Sequence, residues 1–578
     1  MKKSRRKTAQ YLSSVAGKGK GNIGILLVVQ SLLGISSVFY ALFLRDIING
    51  AMAGEEQRFF FAVVRFALLI CVQLGLRALV RYFEERSRSA LENRFKKRLF
   101  ATLMEKEYAS VAAVHSGEWM NRLTSDTVIV ANGLTEILPG LAGMAVKLVG
   151  AVSMIVLLEP KFLYLIVPGG VLLIVFSYAF RKVMKQLHKN VQEYDGNLRM
   201  YMQESLSGML VVRSYGVEEE VTEAAGGKMI GHKNARMKKN HFSNICNIGF
   251  GLVMNGAYVL GAFFCGYGIL KGTMSYGTFM AVVQLIGQIQ APFANISGFL
   301  PKFYSMLASC ERLMEAEDFK DSVTEGDKSV TEVNEMYRDQ MKALQLSDVS
   351  FSYGNSEDEL QVLTDVNLTI GKGDCVAVMG NSGCGKSTLL KLLMGVYEPD
   401  KGSIQVEMFH DNAEPVREWR RLFAYVPQGN CLMSGSIREA VTFYRKEKVS
   451  NRSVEDALRL ACADFVWELP EGTDTVLGEK GAGLSEGQMQ RLAIARAIYA
   501  DAPVLILDEA TSALDEATET RLLEQLKKLT DKTIIIATHR RAALAICNGR
   551  LLFEEGGIRQ ETQTHTLPLS MAFLSDEM

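Results

Sequence analysis

The sequence predicts a multi-domain membrane protein: an all-α six-helix transmembrane domain with long cytoplasmic helical extensions, followed by an α/β phosphate-loop domain. Three observations carry this. Six long apolar stretches crowd into the first half of the chain. The connections between them alternate short and long, and the long ones hold most of the Lys and Arg. At Asp374–Leu393 a short apolar run, a glycine loop and a leucine-rich helical run follow one another, as DCVAVMGNSGCGKSTLLKLL.

The chain has 578 residues. That exceeds what a single core sustains, so two or more domains are expected. Lys plus Arg and Asp plus Glu both count 64, giving a formal net charge of zero. No global basic field argues for a nucleic-acid partner. The nine cysteines show no C-x-x-C pair and no regular spacing, and several sit in apolar runs. They read as reduced thiols facing cytosol or lipid, not as a disulfide framework. The head is basic, but no small-residue cleavage site closely follows the first apolar run. That run is expected to be a retained span.

Stretches near Asn22–Leu44, Phe59–Val80, Ile137–Leu158, Phe162–Phe180, Ser243–Leu270 and Gly277–Leu300 are long and apolar enough to cross a bilayer. The short connections, Arg45–Arg58, Glu159–Lys161 and Lys271–Tyr276, carry few cations. The long ones, Arg81–Glu136 and Arg181–Phe242, contain RSRSALENRFKKR and RKVMKQLHK, and the head contains KKSRRK. Positive-inside bias therefore places both termini, both long connections and the C-terminal half in the cytoplasm of a multi-pass plasma-membrane protein. The long connections keep a helical pattern, so the membrane helices are expected to run on and turn back near Ala109–Gly117 and Leu206–Gly216. From about Glu315 to Lys342 the chain turns acidic and loses apolar periodicity, which reads as a solvated linker. The domain boundaries expected are 1–315 for the transmembrane domain, 316–342 for the linker and 343–578 for the nucleotide-binding domain.

In the second half, Cys375–Met379 is short and apolar enough for a strand buried on both faces. It is followed by Gly380, Asn381, Ser382, Gly383, Cys384, Gly385, Lys386 and Ser387, a full match to G-x-x-x-x-G-K-[ST], with Thr388 next. Such a loop turns backbone N–H groups around phosphate oxygens, and the helix start adds partial positive charge. Lys386 is expected to reach the β- and γ-phosphates of ATP, and Ser387 to ligate Mg²⁺. Three more buried-strand patterns end in polar residues: Leu422–Val426 before Gln428, Val504–Leu507 before Asp508 and Glu509, and Thr533–Ala537 before His539. In open parallel sheets ligands sit beyond the strand C-termini, so the four ends converge on one nucleotide. Asp508 is the expected Mg²⁺ partner and Glu509 the group that polarises the attacking water. His539 is placed to donate to the γ-phosphate, and Gln428 to touch metal or water. Tyr353, in FSYG, offers a face for adenine stacking, or is a surface strand aromatic.

One more stretch, Leu484-Ser-Glu-Gly-Gln488, precedes the helical run MQRLAIARAI. Together with the phosphate loop, Gln428, VLILDEA, Ser512-Ala-Leu-Asp515 and His539, it resembles the ATP-binding cassette (ABC) nucleotide-binding domain. Six spans before one cassette resemble a half-transporter of the exporter type. HSGEWMNRLTSD and QESLSGMLVVRSYGVEEE are similar to that family's two cytoplasmic connections. The resemblance implies two chains joined head to tail with two ATP molecules between them. Ser485 and the Gly487 N–H, with Gln488 beside them, would then face the partner's nucleotide. Leu477-Gly-Glu479-Lys-Gly481 resembles the segment that senses the partner's cytoplasmic loops. The family signature is LSGGQ, and Glu486 replaces its first glycine here. A carboxylate near phosphate is unfavourable unless it points away.

The resemblance implies an ATPase coupled to export of an amphipathic, lipid-like or peptide-like substrate. An exporter-fold importer, a lipid flippase and one chain of an unequal pair are the alternatives within transport. An ATP-gated channel or membrane sensor is a different class, against which Glu509 and His539 argue. A non-transporting cassette ATPase is disfavoured by the six spans. A homodimer is expected, because all the ATP-handling residues stand in one chain. The chain starts almost at its first span, leaving no room for a protease domain like those of some peptide exporters. Gln284, Gln288 and Asn295 share one face of the sixth span. They line a pathway, or bond between helices. Lys147 lies near the middle of its span, where facing lipid costs ~2.5–3.5 kcal/mol. Either a water-filled cavity or a bond to carbonyls or to the sixth-span amides accounts for it.

Overall fold

The computed structural model describes residues 2–322, 328–353, 361–410, 412–429, 432–443, 453–478, 481, 483–554 and 557–562. The chain forms two compact units, residues 1–102 with 116–318, and residues 103–115 with 319–578.

The first unit is helical. Its elements are α1 (Lys2–Ala16), α2 (Lys20–Ala53) and α3 (Glu56–Glu105), whose last residues belong to the second unit together with the short α4 (Tyr108–Ala112). They continue with α5 (Ser116–Leu158), α6 (Leu163–Ser207), α7 (Met209–Tyr215), α8 (Glu218–Leu270) and α9 (Tyr276–Glu315). Among the described residues four helices, α2, α3, α5 and α8, are long and apolar enough to cross a membrane. The stretches expected to span at 162–180 and 277–300 fall in α6 and α9, where many side chains lie outside the described residues. At 1.5 Å per residue, the 50 residues of α3 and the 53 of α8 far exceed a bilayer's hydrocarbon thickness of about 30 Å.

Two kinds of contact hold these helices. Small residues let backbones close up: a Cβ on Gly34 would lie 2.7 Å from the Gly143 carbonyl, and one on Gly143 would lie 2.9 Å from the Gln30 carbonyl. In lipid such dispersion contact replaces the hydrophobic drive between helices. The second contact is a buried ionic cluster. The backbone of α5 widens into a π-type turn at Arg122–Asp126. Asp126, 1% exposed, accepts from Arg312 Nε (2.8 Å) and Nη2 (2.6 Å) and from the Ser309 hydroxyl (2.8 Å), all on α9. Arg122 donates to the Arg312 carbonyl, pairs with Glu118 and Glu315, and lies over the Trp119 ring.

The second unit is α/β. Its strands are β1 (Met341–Ser352), β2 (Gln361–Gly371), β3 (Cys375–Met379), β4 (Lys401–Met408), β5 (Glu414–Pro415) and β6 (Phe423–Val426). After these come β7 (Gly435–Ser436), β8 (Val476–Leu477), β9 (Val504–Asp508), β10 (Thr533–Ala537), β11 (Gly549–Glu554) and β12 (Gly557–Thr562). An antiparallel sheet runs β2-β1-β4-β5. A second sheet runs β12-β11-β3-β10-β9-β6, parallel except for β12. Every residue of β9 (VLILD) and β10 (TIIIA) is buried, as continuous apolar runs demand when helices cover both faces. The helices are α10 (Val330–Asp339), α11 (Lys386–Leu393), α12 (Ile437–Thr442), α13 (Val454–Leu460), α14 (Glu486–Tyr499), α15 (Glu516–Lys527) and α16 (Arg541–Leu544).

Residues 330–339, read from the sequence as part of a solvated linker, form α10. A Ser329–Glu332 capping box starts it, and Val333, Met336 and Tyr337 are buried. The Tyr337 hydroxyl bonds the Thr533 hydroxyl at 3.0 Å. Val330, Val333, Met336 and Tyr337 recur at helical spacing, but over only ten residues and among acidic ones.

Asp126→Ala is expected to cost about 1.5–3 kcal/mol, the range for hydrogen bonds to a charged group. Arg312, with its side chain 44% exposed, can turn to water, which keeps the loss below that of a fully buried pair. Thermal unfolding in detergent reads it, and Asp126→Asn should lose less. An Asp126→Ala protein that melts with the parent would show that the cluster contributes nothing.

Candidate functional site

The phosphate loop is shaped by glycine. Gly380 leaves β3 at φ +152°, and a Cβ there would lie 2.7 Å from that of Phe553 and 2.8 Å from Cys384 Sγ. Gly385, at φ +106°, would drive a Cβ to 2.9 Å from Val362. Side chains are excluded at both points by conformation and by space. The loop runs directly into α11, whose first residue is Lys386. The buried Lys386 ammonium donates to the carbonyls of Gly380 (2.8 Å) and Asn381 (3.0 Å) and lies 3.0 Å from His539 Nε2.

The neighbouring strand ends supply the rest. Asp508 ends β9 and is 1% exposed. Its Oδ2 accepts from the Tyr425 hydroxyl at 3.1 Å, while Oδ1 is buried without a partner among the described residues. Glu509 follows at φ +50°, a left-handed conformation that costs a non-glycine residue free energy. Its N–H donates to the Ala537 carbonyl of β10. Its Oε2 accepts from Gln428 Nε2 at 2.6 Å, and its Oε1 lies 3.5 Å from His539 Nε2. Gln428, Glu509, His539 and Lys386 thus form one polar chain across β6, β9, β10 and the phosphate loop.

Tyr353 stands beside the loop, its hydroxyl 2.9 Å from that of Thr388 and its ring edge-on to Phe351 and Tyr397. Tyr397 also meets Tyr108 of α4 edge-on, and burial pushes its phenol up to about 12. Ser387 and Thr388 lie in the first turn of α11, and Asn381, Ser382 and Gly383 form the exposed crown of the loop.

Ser485 and Gln488 bond each other as the capping box that starts α14. Gly487 packs so closely that a Cβ would lie 2.8 Å from the Ala513 carbonyl. Glu486 is exposed in the first turn of α14, where the helix dipole favours a carboxylate. Glu479 lies outside the described residues.

Sequence reasoning missed several residues. Arg540 donates to the carbonyls of Ser512 (2.6 Å) and Leu514 (2.8 Å) and to Glu519. Gln490 bonds Ser512 and Ala513. Adjacency to His539 was the only sequence signal for Arg540, since its partners are mostly backbone carbonyls of no particular residue type.

In the first unit, Lys147 of α5 is half-buried and makes no ion pair or hydrogen bond with protein groups among the described residues. Gln288 of α9 is buried and donates to the Ser37 carbonyl of α2 at 2.6 Å, with its Oε1 unpartnered among the described residues. Gln284 is exposed, and the side chain of Asn295 lies outside the described residues.

Comparison with known proteins agrees with both units. Residues 23–293 match the family model of the ABC transporter transmembrane region, and residues 363–512 match that of the ABC transporter. The chain belongs to the ABC transporters. It is a half-transporter of the exporter type, an ATP-hydrolysing translocase and a multi-pass membrane protein. The ATP-dependent lipid A-core flippase of Aliivibrio fischeri is 26% identical over 548 residues, 93% of this chain and 92% of that one. ABC transporter B family member 1 of Dictyostelium discoideum is 28% identical over 480 residues, 82% of this half-transporter but only 51% of the longer relative. Among solved structures, a bacterial Atm1-family ABC exporter with ATP bound has the same fold, with a TM-score of 0.79 at 22% identity over 93% of this chain and 95% of that one.

Cys384 is packed within the phosphate loop of this exporter, beside Gly380. Maleimide is expected to block its ATPase, prior Mg-ATP to protect, and Cys384→Ala to resist. A fully sensitive Cys384→Ala enzyme would assign the inhibition to the other eight cysteines.

Proposed function

We propose that two copies of this chain pair head to tail in the plasma membrane, with the ATP-binding units cytoplasmic. ATP binding closes the pair and turns the spans outward, hydrolysis resets it, and the cargo is an anionic amphipath. The observation that carries the ATP chemistry is the polar chain from Gln428 through Glu509 and His539 to Lys386. Gln428 orients one oxygen of Glu509, leaving the carboxylate to accept a proton from a water attacking the γ-phosphate. His539 and Lys386 supply donors to the charge that develops on the γ-phosphate oxygens. Tyr353 presents its ring to adenine.

The residues fit Mg²⁺: the orphaned buried oxygen of Asp508 is a hard anionic donor aimed at the site's edge, and the Ser387 hydroxyl and Gln428 amide are further oxygen donors. Bound there, Mg²⁺ would neutralise phosphate charge. Ser485 and the N–H groups at the start of α14 are left to address the γ-phosphate of the partner's ATP. A homodimer follows from the completeness of the site in one chain. Glu486 favours a second reading, an unequal pair whose other chain carries a different signature; mass spectrometry of the complex from its native membrane separates the two.

Glu509→Gln is expected to keep ATP binding and lower turnover by about 100-fold or more, in line with loss of a general base. Turnover at the parental rate would remove Glu509 from the base role.

Lys147 carries the substrate reading. A lysine at mid-span costs ~2.5–3.5 kcal/mol against lipid, and the charge that acts on it among the described residues is another cation, Arg77 of α3. A water-filled path for anionic compounds compensates that cost, and the lipid A-core flippase among the relatives makes a lipid-like cargo the first to try. Lys147→Met should keep folding and basal ATPase and lose stimulation or transport of anionic amphipaths in inverted vesicles. Unchanged transport across a compound panel would take Lys147 out of the path.

A further inference from the structure

The end of β10 sends two neighbouring side chains to different partners. Thr538 is buried, and its hydroxyl accepts the Arg540 N–H at 3.0 Å, which fixes the turn between them. His539 faces Lys386 and Glu509. Arg540 faces the segment Ser512–Leu514. Its Nη2 donates to the Ser512 carbonyl at 2.6 Å, and its Nη1 donates to the Leu514 carbonyl and to Glu519 Oε2, each at 2.8 Å. Glu519 is 2% exposed, and its other oxygen accepts from the Thr511 hydroxyl at 2.7 Å. The guanidinium is therefore neutralised and clamped where its planar fork grips both ends of that segment.

The same segment is gripped from the other side by the signature helix. Gln490 of α14 is 4% exposed; its Nε2 donates to the Ser512 hydroxyl at 3.0 Å, and its Oε1 accepts the Ala513 N–H at 3.1 Å. Gly487 rests on the Ala513 carbonyl. At its start the segment is tied to Glu509, whose carbonyl accepts the Ser512 N–H at 3.2 Å. A contiguous run of bonds, anchored at the buried Glu519 and Gln490, thus leads from the ends of β9 and β10 to the start of α14.

We propose that Arg540 is a positioning residue that couples the two ATP sites of the dimer, transmitting the position of His539 at one nucleotide to the signature that addresses the partner's nucleotide. This rests on the head-to-tail pairing above. Arg540 touches no nucleotide in this scheme. It makes the Ser512–Leu514 segment move with the β10 end, so that the signature helix and the His539 loop shift as one body. Lysine has charge but not the fork, so it cannot hold both carbonyls and Glu519 together.

Coupling of this kind is read as cooperativity and as non-additivity between variants. ATPase of the full-length protein in lipid nanodiscs is measured against ATP concentration for the parent, Arg540→Lys, Gln490→Met and the double variant. Both single variants should bring the Hill coefficient from above one to about one, while binding of a fluorescent ATP analogue changes by less than about twofold. The double variant should be no worse than the weaker single. A purely structural role would instead lower the melting temperature and the amount of active enzyme with cooperativity kept. A parental Hill coefficient in both variants, a coefficient of about one in the parent, or effects that multiply independently in the double would each overturn the proposal. If Arg540→Lys fails to fold, Gln490→Met carries the same test from the other joint. Glu509→Gln protein should retain two ATP per two chains after gel filtration. Failure there overturns the dimer reading and this inference with it, whereas success with unchanged cooperativity overturns this inference alone.

Discussion

Parallel pairing of β3, β10, β9 and β6 is the constraint from which the chemistry of the second unit descends. Parallel strands share one direction, so all four end at one edge, and the residue after each apolar run emerges beside its neighbours. The register sets Ala537 against Asp508, which lets the Glu509 N–H bond the Ala537 carbonyl and holds Glu509 in its left-handed conformation. A strained residue persists only where surrounding structure over-determines it, and here a ladder of buried strands does so.

The same edge concentrates charge. Lys386 is buried; two loop carbonyls accept from its ammonium, and His539 Nε2 lies 3.0 Å away. Asp508 is buried at the end of β9, two strands from β3, with one oxygen unpartnered among the described residues. An unpaired buried carboxylate oxygen costs free energy that an ordinary structural residue would not be left to bear, whereas a cation recovers it. The signature helix answers a different demand. Its capping box satisfies the N–H groups of Ser485 and Gln488, while those of Glu486 and Gly487 have no intrahelical acceptor.

The helical unit solves another problem with the same rules. Within lipid there is little hydrophobic drive between helices, so Gly34 and Gly143 gain contact by removing side chains, and Gln288 reaches a carbonyl on α2. The Asp126 cluster joins α5 to α9 with charge-assisted bonds whose partners are nearly all on two helices. The π-type turn around Asp126 brings that carboxylate to α9 at a point where regular α-helical spacing would aim it elsewhere.

Much of this was legible in the residues. Continuous apolar strands, the glycine loop and the run of polar strand ends are local patterns, and local patterns set both the parallel sheet and the set of side chains at its edge: Lys386, Asp508, Glu509, His539 and Gln428. Four of the long apolar helices were equally plain, because length and composition decide whether a helix can cross lipid. What the sequence left open depends on contacts between distant residues. The bond from the Gln288 amide to the Ser37 carbonyl joins positions 251 apart in the chain. Helix α10 was hidden because the burial of Val333, Met336 and Tyr337 is decided only by what they meet, as where the Tyr337 hydroxyl meets Thr533. Arg540 was silent because it binds the carbonyls of Ser512 and Leu514, and a backbone carbonyl looks the same in every residue type; only the tertiary fold decides which one a guanidinium finds.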